Sequence, residues 1–220
     1  MVGAAEERGR GRLRGARTVN VRELAVPGAW EITPTLRDDS RGLFFEWFTE
    51  SGFREFAGHD FSFAQANCSV SMAGVLRGLH FAEVPPSQAK YVTCVRGAVF
   101  DVAVDIRTGS PTFGRWDAVR LDDRTRKTIY LSEGLAHGFL ALENNSTVMY
   151  LCSAPYNPTR EHTILATDPA LGIAWPGTVG VSLSERDAVA PRLADLQGRG
   201  ILPTWRDSCD FVEELRTRVR

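Results

Sequence analysis

The residues best suited to chemistry lie in segment 74–81, which reads GVLRGLHF. It places His80, one of four histidines in the chain, three residues after Arg77. An imidazole titrates near neutral pH and can accept a proton, while a guanidinium grips two oxygens of an anion. The pair therefore indicates proton transfer on an acidic substrate. On residue type alone, a buried histidine bonded to a backbone carbonyl is the competing interpretation.

Several common motifs are absent. The sequence has no P-loop, no GxGxxG and no GxSxG, so a bound nucleotide would be held by side chains. Cupin-type metal sites usually need two histidines one residue apart, together with a carboxylate and a third histidine. Here Phe81 and Ala82 follow His80, and the next histidine is His137. This spacing favours a proton carrier over a metal ligand, although a metal site stays open.

Composition limits the class of protein. A chain of 220 residues, 43% of them hydrophobic, can form one all-β domain with appended elements or two small domains. The net charge of -1 gives no indication of nucleic-acid binding. No apolar run approaches the roughly 20 residues of a membrane helix, and no signal peptide is evident, so we expect a cytoplasmic protein. The four dispersed cysteines predict reduced thiols, the first three half-buried in strands.

Short strands are expected to position these side chains. Residues 98–106 alternate most clearly, with even-numbered positions facing one way and odd-numbered positions the other. Further strands are predicted at 116–121, 128–132, 135–142, 147–153 and 162–167. Helices are predicted at 49–56, after Ser184 and at 208–218. We expect a disordered Arg/Gly-rich arm (1–17), a β-sandwich or small barrel (18–180), and a helical extension packing on the barrel (181–220).

Six ordered motifs resemble the dTDP-4-dehydrorhamnose 3,5-epimerase family. They are GVLRGLHF, PPSQAKYV (85–92), GAVFDVAVD (97–105), SPTFG (110–114), EGLAHGF (133–139) and LSERD (183–187). The resemblance covers residues 20–196 and implies an all-β, cupin-like double-stranded β-helix (jelly roll) with short C-terminal helices. It also implies a homodimer without metal or cofactor. The implied activity is epimerisation at C3, C5 or both of a dTDP-4-keto-6-deoxyhexose, in deoxysugar and antibiotic biosynthesis.

Such a reaction needs a base on one face of the sugar ring, an acid on the other, and a group that stabilises charge on the C4 oxygen. The resemblance implies His80 as base, oriented by Asp187, and Tyr150 as acid, with Tyr156 as its competitor. Lys90, one of two lysines among 26 cations, is the expected oxyanion partner. Asp187 also lies three residues after Ser184, so it could instead complete a capping box.

The resemblance also implies a set of substrate contacts. These are Arg41, Glu46, Gln65, Asn67, Arg77, His137, Tyr156, Glu161 and Arg186. Arg77 and Arg41 are expected to bind the diphosphate, because a guanidinium bonds two oxygens at once. In the family the N-terminal segment reaches across the dimer, so Arg41 and Glu46 are expected in the partner's site. Spacing alone favours a core position for His137.

Three positions depart from the family pattern, and two other functions stay open. Ala82 stands where glutamine is common, Arg186 replaces a lysine, and 37–39 replace an apolar residue and glycine. The epimerised carbon and the final sugar are therefore left open. A metal-dependent cupin isomerase or oxygenase would use His80 and His137 as ligands. A silent sugar-nucleotide-binding cupin would lack the acid or the base.

Overall fold

The computed structural model describes residues 19–85, 87–177 and 180–218. Its strands are β1 Val19–Glu23, β2 Ala29–Pro34, β3 Arg37–Asp39, β4 Gly42–Phe44, β5 Gln65–Ser71, β6 Leu76–Ala82, β7 Lys90–Arg96, β8 Ala98–Asp105, β9 Trp116–Asp122, β10 Thr128–Leu131, β11 Leu135–Ala141, β12 Ser146–Cys152 and β13 Glu161–Thr163. Its helices are α1 Glu50–Ala57, α2 Glu185–Ala188, α3 Leu193–Gly198 and α4 Trp205–Thr217.

Two antiparallel sheets form the body of the protein. One has the order β1-β2-β10-β7-β12-β5 and the other β13-β6-β11-β8-β9, while β3 and β4 form a separate hairpin. Apart from the consecutive strands β8 and β9, which pair in one sheet, strands β5 to β12 alternate between the sheets, so that β5-β12-β7-β10 faces β6-β11-β8-β9. This is the topology of a jelly roll. The predicted all-β, cupin-like fold is confirmed.

Both faces of the five-stranded sheet are buried, as the alternation in β8 predicts. Val99 and Ala103 pack between the sheets against residues of the six-stranded sheet. Val102 and Val104 pack on the opposite face in a cluster that includes Leu193 of α3. The residues after 181 therefore supply part of the hydrophobic core of this sheet.

The outer face of the six-stranded sheet is covered by α1. Phe53 and Phe61 pack edge-on against Tyr130, which is fully buried. The helix begins where Thr49 accepts a hydrogen bond from the Gly52 amide, and it ends at Gly58 in a left-handed conformation. The two sheets are thus enclosed, and the functional side chains must lie at an open end.

Some predicted boundaries were wrong. α4 begins at Trp205 rather than 208, because the Thr204 hydroxyl caps it by accepting from the Asp207 amide. β13 ends at Thr163 rather than 167, and α3 was not predicted. Of the cysteines predicted to be half-buried, Cys68 is exposed because it lies on the exposed face of β5, whereas Cys94 and Cys152 are fully buried.

Other expectations have a different outcome. The arm at 1–17 lies outside the described residues, and the division of the chain at residue 180 stays a prediction. In the part of the chain that the structure describes, none of the helices has the length and apolar character needed to cross a bilayer.

Candidate active site

A cavity of about 240 Å³ opens at one end of the sandwich. Its walls come from β5, β7 and β12 of one sheet and from β6 and β13 of the other. It is lined by Gln65, Asn67, His80, Gln88, Lys90, Tyr150, Cys152, Tyr156, Glu161, His162 and Arg186. An adjoining cavity of about 420 Å³ shares His80 and Arg186 and adds Arg77 and Asp187 to its lining. Sequence-predicted residues from distant segments therefore line two cavities that share His80 and Arg186.

A histidine and an aspartate form the most ordered pair of this site. The Nε2–H of His80 donates to Oδ1 of Asp187 at 2.9 Å. Asp187 Oδ2 also accepts from the Gly78 amide at 3.4 Å, and the Asp187 amide donates to Ser184 Oγ at 3.1 Å. Ser184 thus caps α2 while the carboxylate stays available to His80. Asp187 therefore takes part in both interactions, since its backbone amide is capped by Ser184 and its carboxylate pairs with His80.

Electrostatics keeps this pair in a form suited to proton transfer. Burial alone would raise the pKa of Asp187, but hydrogen bonds from His80, Gly78 and Ser184 outweigh it and lower the pKa overall. The carboxylate is therefore ionised at neutral pH and fixes the proton on Nε2 of His80. Nδ1 is left with the lone pair that a base requires.

Two glycines bring the strand of His80 against its neighbour. Gly78 has φ 103°, and a Cβ there would lie 2.6 Å from the carbonyl oxygen of His137. A Cβ on Gly138 would lie 2.7 Å from the carbonyl oxygen of Arg77. Only glycine allows this approach, which pairs His80 with His137 across β6 and β11.

Tyr150 and Lys90 face the cavity from the opposite sheet. Tyr150 is on β12, and Lys90 begins β7 opposite Cys152. Burial is the main cause that raises the pKa of Tyr150 and lowers the pKa of Lys90. A phenol with a raised pKa stays protonated. A candidate base and a candidate acid thus stand on opposite sheets, with a lysine beside the acid.

Asp101, which sequence reasoning did not select, holds the second histidine. His137 Nε2 lies 2.9 and 3.0 Å from the two carboxylate oxygens of Asp101, which is fully buried. Burial raises the pKa of Asp101, although His137 and Lys90 oppose the shift. His137 is buried and does not line the cavity, so it lies behind the site, nearer the core as its spacing indicates. The available signal was a carboxylate in the middle of a largely apolar strand.

Gln65 and Asn67 form a hydrogen-bonded row along one wall. The Tyr156 amide donates to Gln65 Oε1 at 2.9 Å, and Gln65 Nε2 donates to Asn67 Oδ1 at 2.8 Å. Asn67 Nδ2 then lies 3.7 Å from the sulfur of Cys152. Both ends of the Gln65 amide are engaged, so this side chain positions the Tyr156 segment.

Glu161 and Arg186 close the rim. Glu161 Oε1 accepts from the Asn157 amide at 3.0 Å and from Gln88 Nε2 at 3.3 Å. Arg186 donates to the Glu161 carbonyl at 3.2 Å and to the Tyr156 hydroxyl at 3.4 Å.

Sequence reasoning missed three lining residues, namely Gln88, Cys152 and His162. The two-residue period of a strand could have found two of them. Gln88 lies two positions before Lys90, and Cys152 lies two positions after Tyr150.

Besides His137, two further predicted contacts do not line the two cavities of this site. Arg41 is on the β3–β4 hairpin with 87% of its side chain exposed and pairs with Asp39 at 2.6 Å. Glu46 is also exposed. Arg77 borders the adjoining cavity, and its Nε donates to Ser71 Oγ at 3.1 Å.

Comparison with known sequences gives consistent results. A family model described as dTDP-4-dehydrorhamnose 3,5-epimerase matches residues 23–195. The dTDP-4-dehydrorhamnose 3,5-epimerase of Mycolicibacterium smegmatis is 69% identical over 201 residues, which are 91% of this chain and 99% of the relative. The dTDP-4-dehydrorhamnose 3-epimerase of Streptomyces niveus is 52% identical over 194 residues, which are 88% of this chain and 93% of the relative.

Solved structures agree with the fold. The Mycobacterium tuberculosis rmlC epimerase has a TM-score of 0.88 and 68% identity, covering 90% of this chain and 100% of its own. ChmJ, a 3'-monoepimerase from Streptomyces bikiniensis in complex with dTDP-quinovose, has a TM-score of 0.86 and 47% identity, covering 88% of this chain and 98% of its own.

Proposed function

Because the chain belongs to the dTDP-4-dehydrorhamnose 3,5-epimerase family, we propose that it epimerises a dTDP-4-keto-6-deoxyhexose through His80 and Tyr150. It is an isomerase of deoxysugar biosynthesis that inverts carbon next to a ketone. The observation that carries the proposal is the arrangement of the His80–Asp187 pair on one sheet and Tyr150 with Lys90 on the other.

The first step is removal of a proton next to the C4 ketone. Nδ1 of His80 takes the proton, and Asp187 stabilises the imidazolium that results because its carboxylate already accepts from Nε2. The pair needs no cofactor for this step. The negative charge moves to the C4 oxygen as an enolate forms.

Lys90 holds this charge. Lys90 is a half-buried residue and lines the same cavity as His80 and Tyr150. Charge stabilisation is strongest where water is excluded and the donor is already in place. The buried Asp101–His137 pair lies close enough to interact with the Lys90 charge, so it acts as a positioning pair rather than as a direct substrate contact.

The second step is reprotonation from the other face of the ring. Tyr150 supplies this proton, since its phenol stays neutral and belongs to the opposite sheet. Tyr156 is less suited to the acid role because it is exposed at the rim, where it accepts from Arg186. Because His80 and Tyr150 are on opposite sheets, the proton is removed from one face of the ring and returned to the other, which inverts the carbon.

The rim residues account for binding of the nucleotide diphosphate. Arg77 and Arg186 border the larger cavity, where guanidinium groups can each bond two phosphate oxygens. Asn67 and Glu161 border the smaller one and are proposed to contact the substrate there. Gln65 supports them by fixing Asn67 and Tyr156.

We further infer that two copies of the chain form the working enzyme. The β3–β4 hairpin exposes Leu43 and Phe44 beside Arg41, and Val70 is exposed on the edge strand β5. An apolar hairpin that carries a cation suits contact with a second copy, which would bring Arg41 and Glu46 to the partner's cavity. Light scattering coupled to size exclusion tests this, and Phe44→Asp is expected to shift the mass toward the monomer.

A cytoplasmic location and double inversion complete the proposal. The location is supported by the cysteines, because all four are free, as expected in a reducing compartment. The 3,5-epimerase of Mycolicibacterium smegmatis is more similar to this chain than the 3-epimerase of Streptomyces niveus, at 69% against 52% identity, which supports inversion at both C3 and C5.

The comparisons favour an epimerase over the metal-dependent cupin isomerase or oxygenase. His80 and His137, the ligands that such an enzyme would need, each direct Nε2 to a separate carboxylate. The test is to incubate the protein with dTDP-4-keto-6-deoxyglucose in D2O and to follow C3 and C5 by NMR. Deuterium at both carbons is expected. Incorporation at one carbon corrects the regiochemistry, and incorporation at neither overturns the proposed function.

A further inference from the structure

A third cavity, of about 300 Å³, lies beneath α4 and shares no lining residue with the two cavities of the candidate active site. It is on the outer side of the six-stranded sheet, where Phe61 packs, and its roof is formed by Phe211 and Leu215 of α4. Three strand ends meet at its polar wall. Ser87 precedes β7, Glu133 follows β10 and Ser153 follows β12. The proposed epimerase mechanism uses none of these lining residues.

Glu133 is the most unusual of them. It is 2% exposed, and its carboxyl group accepts one side-chain hydrogen bond, from the Ser132 hydroxyl at 3.2 Å. Among the described residues, no Lys, Arg or His side chain forms a salt bridge with it. Burial raises the pKa of Glu133, so the neutral acid is favoured, and a neutral carboxyl group both donates and accepts hydrogen bonds.

Two further polar groups are available in this wall. Ser87 is 4% exposed, and its hydroxyl has no hydrogen-bond partner among the described residues. His59 is buried, and its Nδ1–H donates to the Asp60 carbonyl at 2.9 Å, which leaves Nε2 as an acceptor. Burial lowers the pKa of His59, so the ring is favoured in its neutral form. A buried hydroxyl without a protein partner, such as that of Ser87, is free to bond a water or a bound molecule.

These groups select the class of ligand. Asp60 pairs with Arg54 at 2.5 Å and Arg218 pairs with Glu214 at 3.8 Å, so the charged side chains of this lining already have partners and offer an ionic ligand no free counter-charge. Neutral donors and acceptors beside Phe61 and Phe211 suit a molecule with several hydroxyl groups and an apolar face of C–H bonds. We propose that this cavity binds a small neutral polyhydroxylated molecule of about the size of a monosaccharide.

The test variants avoid residues that lie between the cavity beneath α4 and the catalytic cavity. Ser153 Oγ accepts from the Ala89 amide at 2.8 Å, next to Lys90 of the catalytic cavity, so Ser153 is left unchanged. Leu215→Trp fills the cavity beneath α4 from its roof, away from the catalytic residues. Glu133→Gln keeps a neutral donor and acceptor, whereas Glu133→Leu removes both. Glu143→Gln, on an exposed turn, is the matched control.

The experiment uses the full chain with D-glucose, D-xylose and myo-inositol as neutral probes, and n-butylammonium and acetate as charged ones. Saturation-transfer NMR measures binding, and the methyl signals of Leu215 report its location. We expect saturable binding of at least one neutral probe with a Leu215 shift. Glu133→Leu and Leu215→Trp should weaken it at least tenfold, and Glu133→Gln and Glu143→Gln by less than threefold.

Four results would overturn the inference. These are no saturable neutral probe, tighter binding of a charged probe, undiminished binding in Leu215→Trp, or equal losses in Glu133→Gln and Glu133→Leu. Because the readout is binding beneath α4 and not turnover, the outcome does not depend on whether the chain is an epimerase.

Discussion

Nε2 of His80 and Oδ1 of Asp187 are 2.9 Å apart although 107 residues separate them in the sequence. The contact forms because the segment before α2 pairs with the segment before β6. The Leu76 amide donates to the Ser182 carbonyl at 2.9 Å, and the Ser182 amide donates to the Gly74 carbonyl at 2.8 Å. The C-terminal region is therefore part of the catalytic arrangement as well as part of the core.

Asp187→Asn tests the role of this pair. The amide cannot stabilise an imidazolium and would favour the wrong tautomer of His80, so kcat is expected to fall by roughly 10²- to 10⁴-fold. The measurement is steady-state kcat and KM, with Asp210→Asn on exposed α4 as the control. An Asp187→Asn enzyme with wild-type kcat would contradict the role.

The same substitution has a signature in stability. Because the folded pKa of Asp187 is lowered, its contribution is present above the unfolded pKa of about 3.9 and is lost as pH falls through the folded value. In urea unfolding, the free energy of unfolding of wild type should therefore exceed that of Asp187→Asn at pH 6, and the difference should shrink toward pH 3. A difference that widens on acidification would be opposite in sign to this expectation.

Tyr150→Phe separates the two proton transfers. The variant keeps His80 and Lys90, so it should still remove the proton, while inversion slows by roughly 10²- to 10⁴-fold for want of the acid. In D2O the substrate should gain deuterium faster than it is inverted. Tyr156→Phe should invert at a rate close to wild type, and an inversion rate unchanged in Tyr150→Phe would assign the acid elsewhere.

Lys90→Met tests stabilisation of the enolate. Loss of one well-placed donor typically lowers kcat by about 10²- to 10³-fold, and KM should change much less. Arginine should not rescue it, since a planar guanidinium does not fit the place of a compact ammonium. Lys127, which pairs with Glu31 at 2.8 Å, provides the matched control in Lys127→Met. Equal losses in the two variants would remove Lys90 from the mechanism.

Glu133→Gln tests the ionisation of the buried carboxyl group. A raised folded pKa means that the contribution of Glu133 to stability is complete below its unfolded pKa and is lost as pH rises through the folded value. Between the unfolded and the folded pKa each pH unit costs about 1.4 kcal/mol, and above the folded value the loss is complete. The variant should match wild type near pH 5 and exceed its unfolding free energy near pH 9, whereas Glu143→Gln should show no such trend.

Much of the fold was predictable because its strands alternate or are continuously apolar. Segment 98–106 predicted β8 within one residue, and the ordered motifs predicted the jelly roll. α3 was missed because it is short and begins directly after Pro191 and Arg192. Local patterns also could not show that Leu193 would join the core of the five-stranded sheet, since that contact is entirely tertiary.

The candidate site was predictable where a motif pointed to it and not where tertiary pairing made it. His80, Lys90 and Tyr150 line one cavity, as the family resemblance predicts. Asp101 was missed because its partner, His137, is on another strand. Arg41 differs from Asp101, since the family resemblance predicts it as a substrate contact but in a single chain its side chain is exposed to solvent.

The most direct test of the central claim is the rate at which His80→Asn introduces deuterium into dTDP-4-keto-6-deoxyglucose in D2O, followed at C3 and C5 by NMR. Asparagine preserves a polar side chain but cannot take up the proton. The account predicts that wild type incorporates deuterium with inversion and that His80→Asn loses exchange at least about 10²-fold while staying folded. Undiminished exchange in His80→Asn would show that another group is the base.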